Sequence, residues 1–275
     1  MEPGWLLWSG TIGLESPIAS RIEAARACGY ARVSLSALDV FRAEESGVPA
    51  RDVGRMFADN GLDIVMDPIM NWYDGEAPAG SRFARFTCDE ALRMCSDVGA
   101  VSATAIGQGS SELPVERIAE SFAVLCDRAS DIGMDIHLEF TALHAINSLR
   151  MAWDIVRLAD RSNGGIVFDT WHFFRTDPDF ALLETIPGER IMCVQVDDGA
   201  AEVVGTMRDD TLNRLLPGDG TFDLVRAIAC LDRIGGLTWV GPEVISPTLA
   251  AMDPVAAARL AKTRIQELIV EARGT

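Results

Sequence analysis

The chain has 275 residues, 48% of them apolar, with a formal net charge of −17 and a sequence pI near 4.5. So acidic a surface repels polyanions, which argues against nucleic acid or an anionic membrane surface as a partner. The longest apolar stretches fall well short of the roughly 20 residues that span a bilayer, and no basic start precedes an apolar signal segment, so a soluble, cytoplasmic protein is expected.

Short runs rich in β-branched or aromatic residues predict strands at 5–9, 31–36, 63–68, 100–105, 135–140, 165–168, 192–196 and 238–242. Helical segments alternate with them. Ser16-Pro17 reads as an N-cap followed by proline at the first helical position, and Asp253-Pro254 repeats the device before the last helix. Pro114 opens an amphipathic segment to 132 with Ile118, Phe122, Leu125 and Ala129 on one face. Gly29, Gly61, Gly99, Gly133 and Gly235 stand between a helix and a strand, as left-handed C-caps do. No linker or low-complexity tract interrupts the rhythm. The expected fold is α/β, a single (β/α)₈ TIM barrel formed by residues 1–275, close to the ~250 residues usual for that architecture.

Two intervals break the spacing. Residues 71–82 carry Trp72 and Tyr73, and 199–221 carry Arg208, Asn213, Arg214 and the turn from Pro217 to Gly220. Both follow strands, which places them on the face where barrels keep their active sites. The six cysteines form no Cys-x-x-Cys pair and read as reduced thiols. Lys262, the sole lysine, falls on the last helix, so Schiff-base chemistry has no nucleophile near a strand end.

Four polar residues close the later strands: Glu139 on the fifth, Asp169 on the sixth, Gln195 on the seventh and Glu243 on the eighth. Period-two alternation allows all four to point into the barrel mouth. Three carboxylates and an amide are hard oxygen donors, suited to one divalent ion, Mn²⁺ or Mg²⁺. His172, one helical step past Asp169, is a candidate acid or base. Arg214 and His144 are candidates to bind substrate, and Trp72 to wall the pocket. Asp197 is expected to orient Arg214 or His172 rather than to bind the ion. Few cations lie near the mouth, which argues against a phosphorylated substrate.

The barrel rhythm, Leu138-Glu139, the segment Asp169-Thr-Trp-His172 and the segment from Asn213-Arg214 to Gly220 resemble the sugar phosphate isomerase/epimerase superfamily of xylose isomerase-like TIM barrels. The similarity runs over nearly the whole chain. In ketose 3-epimerases of that superfamily Glu, Asp, His and Glu hold one divalent ion, and the two glutamates also move protons. Glu139, Asp169 and Glu243 match these positions. Gln195 stands where those epimerases have histidine, and the sequence around it is similar to bacterial 3-dehydroshikimate dehydratases.

The resemblance and the residues together imply a metal-dependent isomerase or epimerase of a small keto sugar, cyclitol or related polyol ketone. The ion would act as a Lewis acid, and Glu139 or Glu243 would take the proton on the α-carbon to give an enediolate. Loss of a β-hydroxyl with His172 as acid is the dehydratase alternative, and a non-catalytic metabolite-binding barrel is the alternative of another class. The expected partner is a small-molecule substrate. Oligomeric state stays open, with a homo-oligomer allowed because related barrels often pair.

Overall fold

A computed structural model of the chain describes residues 2–74, 83–108 and 113–274. Its eight strands are β1 (Gly4–Leu7), β2 (Arg32–Leu35), β3 (Asp63–Ile69), β4 (Ser102–Ile106), β5 (Asp135–Glu139), β6 (Gly164–Asp169), β7 (Ile191–Val196) and β8 (Trp239–Pro242). They follow one another in sequence order and close into a parallel barrel, as the alternating pattern predicts. Every residue of β6 is buried, and all of β7 except Met192. Strands with helices on one side and filled layers on the other lose contact with water on both faces, so they read as continuous apolar runs.

The chain forms two compact units. In the one made of Met1–Val33 and Phe168–Thr275, β8 pairs with β1 through Gly4↔Trp239 and Trp5↔Val240. It also pairs with β7 through Gln195↔Gly241. The helices Ile18–Cys28 and Leu224–Ile234 both pack on the long final helix Pro254–Gly274. Lys262 on that helix donates to the carbonyls of Cys28 (2.8 Å) and Gly29 (2.9 Å), and its ammonium faces the rings of Trp5 and Tyr30. The lone lysine thus supplies the partners that the end of helix Ile18–Cys28 lacks.

In the unit Ser34–Val167, β4 lies between β3 and β5 with Thr104↔His137 and Ile106↔Glu139 in register. The helix Val115–Ser130 buries Ile118, Phe122, Leu125 and Ala129, the face its spacing predicts, and packs against Leu149–Ala159. Glycines after helices take left-handed conformations, as at Gly99 (φ 70°) and Gly235 (φ 80°).

The structure departs from the sequence reading at several strand ends, two of which begin other local structure. The first strand stops at Leu7, and Ser9–Ile12 forms a 3₁₀ turn. The Thr11 hydroxyl in that turn donates to the Pro242 carbonyl (2.9 Å) and accepts from the Val244 amide (3.1 Å), which fixes the chain just past β8. Ser36 does not extend the second strand. It caps a helix, Ala37–Glu45, with Asp39 in a reciprocal capping box, and a further helix Ala50–Ala58 follows Pro49. Residues 75–82 of the expected 71–82 loop lie outside the described residues. Among the described residues all six cysteines are free, and no helix is long and apolar enough to cross a membrane.

The approach of β1 to β8 requires glycine at position 241. A side-chain carbon there would meet the Leu6 carbonyl oxygen at 1.6 Å, with the Trp8 ring 3.3 Å away. Backbone cannot step aside as a flexible side chain can, so Gly241→Ala is expected to reach the upper end of the about 1–3 kcal/mol that overpacking costs. A thermal melt should show Tm lower by several degrees, and an unchanged Tm would refute this packing.

Candidate active site

Asp169 is both the last residue of β6 and the N-cap of the short helix Thr170–Arg175. Its Oδ1 accepts from the His172 amide at 2.8 Å. Its Oδ2 accepts from Nη1 of Arg214 at 2.7 Å. The same Nη1 donates to Asp197 and, at 3.1 Å, to Oε2 of Glu243. Three carboxylates from the ends of β6, β7 and β8 therefore converge on one guanidinium nitrogen. Nη2 of Arg214 lies 3.5 Å from Nε2 of His172 and donates to the Thr211 hydroxyl at 3.2 Å. The other oxygen of Asp197 is held by the Thr170 hydroxyl. Asp197 thus orients Arg214, as its place beside the strand end suggests.

The charges in this cluster do not balance. Asp169, Asp197, His172 and Arg214 are buried, and Glu243 nearly so, with its side chain 14% exposed. Burial tends to raise the Asp169 carboxyl, but Arg214 and His172 outweigh it and hold Asp169 below the usual value. Burial, and then the charge on Asp169, push Asp197 up to about 8 against the pull of Arg214 and Thr170. Burial also opposes the charge of Arg214, and the three carboxylates overcome it, so that the guanidinium stays protonated well above its usual pKa.

A cation would relieve this excess of negative charge. Asp169, Asp197 and Glu243 each offer an oxygen within 4.8 Å of the others. Gln195, two residues before Asp197 on the same face of β7, is fully buried, and neither its amide oxygen nor its nitrogen has a hydrogen-bond partner among the described residues. A buried amide left unpaired on both atoms is costly unless something binds it. Carboxylates and an orphaned amide oxygen are a donor set that fits a hard divalent ion.

The other expected site residues lie in the unit Ser34–Val167. Glu139 ends β5 and is buried. His144 stands half-buried on the following turn, with its pKa lowered by burial. Trp72 spends its indole N–H on the Ile106 carbonyl (2.9 Å), and its ring packs on Tyr73 and Phe122.

Two aspartates that the sequence did not single out hold the segment bearing Arg214. Asp198 is buried and accepts from the backbone amides of Gly199, Gly218, Gly220 and Phe222 at 2.8–3.1 Å. Gly220 has room for no side chain, because a Cβ would meet Oδ1 of Asp198 at 2.2 Å. Asp198 and Leu215 also exchange backbone hydrogen bonds, and the Arg214 amide donates to the Ile245 carbonyl. The Pro-Gly-Asp-Gly turn was visible in the sequence, and so many turn amides imply an acceptor. Asp210 had no such signal. It receives the Trp171 indole N–H (3.1 Å), Nε of Arg175 (2.7 Å) and the Val204 amide (2.9 Å).

A family match agrees with this geometry. Residues 22–267 match the xylose isomerase-like TIM barrel family. The chain belongs to that family. A 3-dehydroshikimate dehydratase of Pseudomonas aeruginosa is 27% identical over 80% of this chain, the match covering 34% of the dehydratase. An inosose isomerase of Bacillus velezensis is 32% identical over 47% of this chain and 46% of its own length. The matches thus span about a third to a half of these curated relatives. The solved structure of the IolI protein with a bound zinc atom covers 98% of this chain and 99% of its own, with a TM-score of 0.82 at 19% identity, a likeness of fold.

The Arg175–Asp210 pair is buried, with side chains 5% and 6% exposed. Removing one partner of such a pair leaves an uncompensated charge and costs about 3–5 kcal/mol. Asp210→Ala is expected to lose stability on that scale in urea unfolding. The double variant Arg175→Met/Asp210→Leu should recover much of the loss. Additive losses would contradict the pairing.

Proposed function

We propose that this barrel is a divalent-metal-dependent isomerase or epimerase of a small keto sugar, cyclitol or related polyol ketone. The observation that carries the reading is the unpartnered Gln195 amide on the strand whose end joins the carboxylate cluster. Glu139, Asp169, Gln195 and Glu243, at the ends of four consecutive strands, would hold one Mn²⁺ or Mg²⁺ ion. When bound, the ion would polarise the substrate carbonyl and make the neighbouring C–H acidic.

Glu139 takes that proton as general base, and Glu243 serves the other face of the resulting enediolate. His172, fixed through its backbone amide by Asp169, exchanges a proton with a substrate oxygen. Arg214 donates to a substrate hydroxyl or carbonyl, and its Nε has no partner among the described residues. His144 and Trp72 complete the substrate wall. A cytoplasmic setting accords with six free cysteines, and the partner is a small molecule rather than nucleic acid or membrane. A homo-oligomer accords with the habit of related barrels.

Metal-dependent dehydration is the second reading. It is favoured by Gln195 and by the dehydratase match, which covers 80% of this chain. Both readings start with loss of the same proton and part at the next step. A proton returned to carbon gives an epimer or isomer, whereas departure of a β-hydroxyl with help from His172 gives an enone.

Protein prepared with Mn²⁺ is expected to carry about one ion per chain, to lose turnover to a chelator and to regain it with Mn²⁺ or Mg²⁺. Glu139→Gln should fold normally and lose turnover by orders of magnitude, because it removes both a charge and the base. Near-normal turnover of that variant with metal supplied would sink the mechanism. In D₂O, deuterium should enter the α-carbon. An ultraviolet-absorbing enone formed without any epimer would establish dehydration instead.

A further inference from the structure

Three polar side chains past the C-terminal ends of β4 and β5 hold atoms that are buried and have no hydrogen-bond partner among the described residues. They are Oε1 of Gln108, Oγ1 of Thr141 and Nδ1 of His144. β4 and β5 run in register with Ile106 beside Glu139. Gln108 and Thr141 each lie two residues past that pair, on the loops that leave the two strands. The two segments do approach there. A side-chain carbon on Gly107 would lie 2.6 Å from Ile146 and 3.1 Å from the Tyr73 hydroxyl, and the Thr141 amide donates to the Ile146 carbonyl. His144 closes the same turn, its amide donating to the Thr141 carbonyl.

The hydrogen bonds around Gln108 decide which of its atoms is left over. Its Nε2 donates to Oδ1 of Asn71 (3.1 Å). Asn71 cannot be flipped, since its own Nδ2 donates to the carbonyls of Ala84 and Phe86, both at 2.8 Å. The Tyr73 hydroxyl takes the Gln108 carbonyl. Oε1 therefore remains as an acceptor held in place by its surroundings. Thr141 adds a hydroxyl that can donate or accept. Burial lowers the pKa of His144, so its ring is neutral at pH 7. None of the three carries a charge.

We propose that Gln108, Thr141 and His144 form a recognition edge for hydroxyl groups, which takes a neutral polyhydroxylated ketone in preference to an anionic one. This rests on the ketone-isomerase reading above and specifies its substrate class. A site built to pair with hydroxyls rejects molecules that leave its buried groups unpaired. A carboxylate or phosphate in this position would meet the Gln108 oxygen, and none of the three side chains offers it a positive charge.

Calorimetric titration with myo-inositol, an unreactive neutral polyol, tests the edge apart from turnover. Wild-type protein should bind it, and Gln108→Leu and Thr141→Val should each bind about tenfold more weakly. Thr104→Val serves as a control, since Thr104 is also buried without a partner but lies a layer deeper, beside His137. Its affinity should stay within about twofold of wild type. Thr141→Val removes an unpaired buried hydroxyl, so its Tm should hold or rise while affinity falls, whereas a purely structural threonine would lose Tm. With inosose as substrate, KM should rise in both edge variants with kcat little changed.

Absence of inositol binding, equal binding by the edge variants, or tighter binding of dehydroshikimate than of inositol would each overturn the proposal. If no ketone is turned over while inositol binding follows the expected pattern, the catalytic reading falls and the recognition edge stands. Turnover of inosose with both edge variants unaffected has the opposite meaning.

Discussion

One guanidinium nitrogen faces three carboxylates, and much of the surrounding chain is arranged to keep it there. Like charges at hydrogen-bond range inside a protein repel far more strongly than in water. Asp169, Asp197 and Glu243 can share a buried space only because Nη1 of Arg214 stands among them. Even so, burial and then the charge on Asp169 push Asp197 up to about 8, while Arg214 and His172 hold Asp169 low against burial. Buried ion groups of this kind stabilise a fold little for their own sake, because desolvation offsets most of the attraction. Their value lies in a preset charge deficit beside an unpaired amide.

Keeping Arg214 in place falls to the segment that carries it, and that segment is irregular. Asp198 gathers three backbone amides of the turn after Arg214, those of Gly218, Gly220 and Phe222, and Asp210 ties the short helix Met207–Thr211 to Trp171 and Arg175. Trp171 and Arg175 lie on the same one-turn-and-a-half helix as His172, and Asp169 caps that helix. One residue thus starts the helix that presents the imidazole and also joins the carboxylate cluster. Replacing Asp169 would disturb helix, histidine and cluster together, so its contributions to folding and to chemistry cannot be separated by a single substitution.

The barrel was legible in the sequence because each level of pattern agrees. Buried parallel strands such as 165–168 read as unbroken apolar runs, helices such as 114–132 show one apolar face, and glycines such as Gly99 mark the stops. Strand ends were less clear, since Ser9 and Ser36 begin local turns and caps with their hydroxyl-bearing backbone rather than extend a sheet. The carboxylates at strand ends were legible through side-chain parity. The pairing of Arg214 with Asp197 was expected, but its reach to Asp169 and Glu243 as well was not, because parity stops where regular structure stops. Asp198 and Asp210 act on atoms far along the chain, and Gln108 and Thr141 gain meaning only from the loops that leave β4 and β5. Contacts of that sort leave no local period to read.

Charge also bears on which substrates this cluster would accept. In the cluster at the ends of β6, β7 and β8 two carboxylates, Asp169 and Glu243, face the one positive charge of Arg214, and Asp197, pushed up to about 8, adds little negative charge near neutral pH. Histidine in place of Gln195 would leave that sum unchanged as a neutral ligand, so the glutamine alters the kind of donor rather than the charge. A neutral ketone enters such a site without adding to its negative excess. A carboxylated substrate adds one more negative charge, and the side chains of Gln108, Thr141 and His144 bring none of the opposite sign to offset it. The 3-dehydroshikimate dehydratase match runs over 80% of this chain, and the first proton loss is common to both proposed reactions. Under the proposed reading, discrimination between them rests on the groups that would meet the rest of the substrate, Gln108, Thr141 and His144 among them.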